Sequence, residues 1–392
     1  MRTVRMLAIA TGVLALAACG SSSADEEGDR AAPGVASPAP PGAAGAAPGG
    51  TAPGSAASGR ATTTDGGTAH AAPTTIATGL DTPWEIAFLP SGDALVSERG
   101  GTVRRIAKGG RGARALARVP GVQELGEGGL LGLAVSPTYE RDRLVYAYLT
   151  TRADNRIVRF RLTASTRAIR PRVVVRGLRS AAVHNGGRIA FGPDGKLYAG
   201  VGDAGDPALA QDRSSQNGKI LRMNPDGSVP ADNPFRGSRV LSLGHRNPQG
   251  LAFDRAGRLW ASEFGQDAFD EVNLIRPGRN YGWPRREGRG DTAGGRYVNP
   301  LVTWRTDDAS PSGAAIVGSR LHVAALKGER LWTVPLRGTR TGAPRATLRG
   351  RYGRLRAVAA APDGALWIAT SNRDGRGDVR AGDDRVLRVP AR

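Results

Sequence analysis

The chain has 392 residues, a net charge of +20 from 55 Lys and Arg against 35 Asp and Glu, and a single cysteine. One cysteine excludes a disulfide framework and a cysteine-based metal cluster. The basic residues are spread along the chain rather than clustered with aromatics, which argues against a nucleic-acid stripe and for a solvated surface that can adsorb to an anionic envelope.

In chain order, Arg2 and Arg5 precede an apolar run from Met6 to Ala18. The run is too short to cross a bilayer and reads as an export signal over residues 1–18. It ends in "LAAC", which resembles the lipobox of bacterial lipoproteins, so Cys19 is the expected lipid anchor. That predicts an exported protein at the outer face of the cell membrane. Residues 19–72 are mostly Ala, Gly, Pro, Ser and Thr. Too little apolar surface is available there to offset the entropy of ordering, so a disordered tether is expected, with the folded domain over 73–392.

From Trp84 onward one hairpin recurs six times: "WEIAFLPSGDALVSER", "GLLGLAVSPTYERDRLVYAYL", "GRIAFGPDGKLYAGVGD", "GLAFDRAGRLWASEFG", "GAAIVGSRLHVAALKG" and "LRAVAAAPDGALWIATS". Most copies are followed by a third strand, such as "GTVRRI" or "KILRMN". Period-2 alternation and tight turns predict an all-β chain, and repeats of this size predict the blades of a six-bladed β-propeller with antiparallel blades. The early "TTIAT" segment is placed to close the ring by pairing into the last blade.

In an antiparallel hairpin the start of the first strand and the end of the second share one end of the blade. Glu127, His184, Asn185, Arg246, Asn247, Arg354 and Arg356 lie at starts, while Gly265, Gln266 and Lys327 follow ends. All are therefore predicted at one mouth of the central channel. Singly, such a histidine or arginine is as well read as a satisfied structural group. Together they form a cationic rim suited to a ligand with several carboxylates or phosphates, which arginine clamps bidentately.

The segments "GEGGLLGLAVSP", "HNGGRIAFGPDGKLYAGVGD", "NGKILRMNPDGSVPADNPF", "GHRNPQGLAFD" and "EFGQDAFDEVNLIRPGRNYGWP" resemble the soluble quinoprotein glucose and aldose sugar dehydrogenases. The resemblance runs from about Leu80 to the C-terminus. It implies pyrroloquinoline quinone (PQQ) and Ca2+ as cofactors, an aldose sugar as substrate, and an external electron acceptor such as a quinone or cytochrome. By the same resemblance His184 is the base for the anomeric hydroxyl, with Arg246 beside it. Glu127, Arg246 and Asn247 are expected at the cofactor, and Lys327, Arg354 and Arg356 clamp its carboxylates. Gly265 and Gln266 match carbonyl donors to one calcium, and Glu271 and Tyr281 a second, structural calcium. The chain departs from the best-known glucose enzymes at Glu127 (glutamine there), Val183 (aspartate), and Phe264 and Gln266 (glutamine and proline).

Two other readings fit a propeller. A calcium-dependent hydrolase of lactonase type requires side-chain oxygens around a metal on the axis rather than a ring of cations. A binding module would keep the fold and lose the cofactor, since fold alone does not fix function.

Overall fold

The computed structural model describes residues 72–166 and 168–390. The expected export signal, the expected anchor at Cys19 and nearly all of the expected tether lie outside the described residues. Among the described residues no helix is long and apolar enough to cross a membrane.

The described chain forms six antiparallel sheets. Their innermost strands are Pro83–Phe88, Leu130–Val135, Ile189–Phe191, Asn247–Phe253, Pro311–Val317 and Leu355–Ala360, which define blades 1 to 6. Each expected hairpin is present. Outer strands such as Arg114–Arg118, Arg172–Leu178, Val240–Leu243 and Val302–Arg305 complete the blades. The ring closes as anticipated: Thr74–Ala77 pairs antiparallel with Val386–Val389 at the edge of blade 6.

Alternation puts each strand's apolar residues against the neighbouring blades, so the core is six wedges rather than one. Aromatic pairs bridge four of the wedges: Phe88 with Trp367, Tyr146 with Phe191, Tyr198 with Phe253, and Trp304 with Trp332, at centroid separations of 5.0 to 5.2 Å. Such pairs contribute about 0.5–1.5 kcal/mol beyond their buried area. Near the axis the blades converge so tightly that side chains are excluded. A β-carbon on Gly250 would collide with the Ser262 hydroxyl and the Ser312 carbonyl of blade 5.

Candidate active site at the channel mouth

The inner strands begin at one end of the ring, and the expected rim residues gather there. Arg356 and Asn247 lie just inside their strands rather than before them. In the turn "HNGG", His184 takes a left-handed backbone (φ 56°), followed by Gly186 (φ 65°) and Gly187 (φ 113°). Positive φ is costly for a residue with a side chain, so surrounding contacts must hold it. The Glu127 carboxylate accepts the His184 backbone N–H at 3.0 Å. A β-carbon on Gly202 would strike the His184 carbonyl, so glycine lets that strand close behind the turn.

The His184 ring is oriented by Asp203, whose Oδ1 lies 2.8 Å from Nδ1. Asp203 is fully buried and also accepts the Trp283 indole N–H at 2.8 Å and the Gly205 N–H at 2.9 Å. A carboxylate can only accept, so Nδ1 carries the proton and Nε2 is left as the basic nitrogen. Trp283 in turn lies under Arg246, whose guanidinium carbon is 5.5 Å from the ring centroid. Arg246 donates from Nε and Nη2 to Gln266 Oε1 at 3.0 and 2.6 Å. Burial pulls its guanidinium below the usual arginine range, against the opposing charges of Asp203, Glu287 and Glu127.

Below this lies a layer of charge across the channel. Arg188 of blade 3 is ion-paired with Glu85 of blade 1, stacks 4.2 Å over Trp84, and donates to the Gln249 carbonyl at 2.7 Å. The Gln249 side chain accepts from Arg356 Nη1 at 2.8 Å and from the Ser312 hydroxyl at 2.9 Å. Arg354 and Arg356 share Asp374, at 3.0 and 3.5 Å. Burial drives the Arg356 guanidinium down to about 9, partly countered by Asp374.

Four donors in these layers are buried without any partner: Arg188 Nη2, Arg354 Nε, Arg356 Nε and Asn247 Nδ2. An unpartnered buried donor forfeits about 1–3 kcal/mol. Clustered donors of this kind are what a polycarboxylate would satisfy. The arginines of this layer outnumber its carboxylates, and Glu85 and Asp374 are each taken up by an arginine rather than left free as a lactonase-type metal site requires.

The positions expected to hold calcium are built differently. Glu287 Oε1 accepts the backbone N–H groups of Gln266, Asp267, Ala268 and Phe269 at 2.7 to 3.1 Å. Trans peptides oppose N–H and C=O, so the carbonyls of Gly265 and Gln266 turn away from Glu287. Carbonyls held in this way suit a calcium ion. Glu271 accepts from Gly288 N–H at 2.7 Å and Asn273 Nδ2 at 2.9 Å, while Asn273 Oδ1 is buried without a partner. Glu271 lies cross-strand from Glu263. Burial, then the Glu263 charge, pushes its carboxyl above the usual carboxylate range. An orphaned oxygen beside two carboxylates fits a cation. The Tyr281 hydroxyl is committed elsewhere, donating to the Leu274 carbonyl at 2.6 Å, so this residue has only its backbone to offer.

Not every expected residue joins the cluster. Lys327 is 59 % exposed and paired with Asp307. Glu127 bonds Arg376 at 2.8 Å with its second oxygen. Burial works to raise the Glu127 carboxyl, but Arg376, the His184 N–H and Arg356 together hold it below the usual range. His245, beside Arg246, is a satisfied structural group between Ser242 and Glu263. Asp203, Trp283, Arg188, Gln249, Asp374 and Arg376 were not anticipated. Arg188 had a signal: its place in the repeat is filled by small residues (Gly132, Gly250, Gly313, Ala357) in four blades and by Glu85 in blade 1. A Glu and an Arg at equivalent places of a ring are natural partners across the axis.

A six-bladed propeller with an Asp-oriented histidine over a cationic channel defines the class of propeller sugar oxidoreductases. Residues 80–380 match the Glucose / Sorbosone dehydrogenase family, and the chain belongs to it. Aldose sugar dehydrogenase YliI of Escherichia coli is 30% identical over 331 residues, covering 76% of this chain and 89% of that protein. Quinoprotein glucose dehydrogenase B of Acinetobacter calcoaceticus is 34% identical over 260 residues, 57% of this chain and 54% of that one. The PQQ-bound aldose sugar dehydrogenase of Streptomyces coelicolor superposes with a TM-score of 0.78 at 53% identity, covering 80% of this chain and 96% of that structure.

Proposed function

We propose that the protein is a PQQ- and calcium-dependent aldose sugar dehydrogenase that oxidises the anomeric carbon to the lactone and passes electrons to an external acceptor. The observation that carries this is the set of four unpartnered donors beneath an Asp-oriented histidine.

When bound, PQQ supplies a two-electron oxidant, the chemistry no side chain here provides. Arg354, Arg356 and Asn247 would hold its carboxylates and carbonyl oxygens, and the Gly265 and Gln266 carbonyls would hold calcium beside it. The protein's own task is acid–base work and orientation. His184 Nε2 removes the proton of the anomeric hydroxyl, and Asp203 stabilises the imidazolium that results. Arg246 is fixed by Gln266 and Trp283 to place positive charge where negative charge develops. Glu127 and Arg376 fix the His184 backbone from the side.

The apolar run over residues 6–18 and the Cys19 motif support a lipoprotein at the outer face of the cell membrane, where a quinone or cytochrome would serve as the electron acceptor. The deciding experiment is a dye-reduction assay over a panel of aldoses, with purified protein given PQQ, calcium, both or neither. Activity is expected only with PQQ, and most with both. Equal turnover without PQQ, or with NAD in its place, overturns the reading.

A further inference from the structure

The end of the ring away from the channel mouth carries a second concentration of positive charge that sugar oxidation does not use. In blade 2, Leu144 opens the second strand, Arg161 closes the third, and Arg172 opens the fourth. Together with Arg159, Phe160 and Arg170 these residues line a cavity of about 550 Å³. All of them lie at the hairpin-turn end of the blade, opposite His184.

Among the described residues, every ionisable group in this lining is an arginine. Cross-strand register sets Arg159 directly opposite Arg172, a like-charge pairing that opposes folding. Among the described residues none of the four makes an ion pair. Arg159 donates to the Pro225 carbonyl at 3.2 Å and lies beside the Tyr146 hydroxyl, and Arg161, Arg170 and Arg172 are exposed. Two acids near this strand are hydrogen-bonded to hydroxyls outside the lining: Asp142 to Ser136 and Thr138, and Asp226, which feels the Arg159 charge, to Ser228. Four guanidiniums around one concavity, with no carboxylate in its described lining, form an anion receptor whose counter-charge the described lining does not supply.

We propose that this cavity binds phosphate groups, each held in the fork geometry that arginine offers to tetrahedral oxyanions. The phosphate can be that of a soluble compound or of a phospholipid headgroup. The site is independent of the redox chemistry at the mouth.

The test uses the full chain carrying Cys19→Ser, so that no acyl group contributes, and inorganic pyrophosphate at constant ionic strength. Pyrophosphate is expected to raise the melting temperature saturably. In Arg161→Gln/Arg170→Gln/Arg172→Gln the apparent affinity should fall more than about tenfold, with dye-linked sugar oxidation unchanged. A parallel arm measures co-sedimentation with phosphatidylglycerol and phosphatidylcholine vesicles. Vesicle binding to phosphatidylglycerol alone, lost in the triple variant and without a pyrophosphate response, assigns the site to a headgroup. A pyrophosphate response without vesicle binding assigns it to a soluble phosphate. Should the triple variant fail to fold, Arg170→Gln alone, at an exposed position, gives the same comparison. No response to either probe, or equal responses from wild type and variant, overturns the proposal.

Discussion

His184 Nδ1 and Asp203 Oδ1 are 2.8 Å apart, and the second oxygen of the same carboxylate takes the Trp283 indole N–H. One buried carboxylate therefore fixes both the base and the aromatic surface beneath Arg246. His184→Asn should cut turnover by about 10²–10⁴ while leaving PQQ affinity nearly intact. Asp203→Asn should also lower turnover, because an amide no longer enforces the proton on Nδ1. Stopped-assay kcat alongside a PQQ titration separates the two quantities. Loss of PQQ binding in His184→Asn would contradict the assigned role.

Arg354 and Arg356 are expected to act on binding instead. Each lost charge-assisted hydrogen bond costs about 1.5–3 kcal/mol. Arg354→Ala with Arg356→Ala should therefore raise the PQQ dissociation constant strongly, with activity partly recovered at high PQQ. Normal PQQ binding by the double variant would remove these residues from the clamp.

Asp374 is the counter-ion of both arginines. Burial works to raise its carboxyl, but Arg356 and then Arg354 outweigh that and hold it below the ordinary value. A depressed folded value stabilises the protein above the unfolded value of about 3.9, and that contribution is lost as pH falls through the folded one. Thermal melts below pH 4 should show this loss in wild type and a flatter profile in Asp374→Asn. At neutral pH the variant should be about 3–5 kcal/mol less stable, since two buried cations lose their partner.

Calcium should raise the melting temperature of the wild type, and less so that of Glu271→Gln. If the ion occupies the Glu271–Asn273 position, the neutral amide weakens its hold. Identical calcium responses would place the stabilising ion elsewhere.

A chain beginning at Ala71 should fold, keep PQQ-dependent activity and lose membrane association. The propeller's first strand starts at Thr74, so no described strand is removed. Insoluble protein would reveal a structural role for the preceding segment.

The blade count, the closing strand and the position of the rim were legible because each follows from period-2 patterning and the geometry of a hairpin. His184, Arg246, Asn247, Arg354 and Arg356 stood out as polar groups at strand starts. Asp203 and Trp283 did not: Asp203 follows the second strand of blade 3, a rim position by the same rule but in a run that reads as a turn, and Trp283 lies in the long loop between the third and fourth strands of blade 4, so only the packing of these two neighbouring blades brings them together. Arg376 was equally hidden, since its partner Glu127 is at the other end of the chain. Lys327 shows the opposite failing. It follows its strand as expected, yet its long side chain leans outward to Asp307.

The pairing of Thr74–Ala77 with Val386–Val389 has a consequence for timing. The earliest strand of the propeller waits for the last one, so a ribosome must release almost the whole polypeptide before the circle can be completed. The Glu85–Arg188–Gln249–Arg356 chain draws on blades 1, 3, 4 and 6, and so assembles only in that finished circle. Contacts so distant in sequence make for slow folding. A nascent chain of this topology therefore stays unclosed while it is being made, which is the state in which a thread-like polypeptide can pass through a narrow export pore.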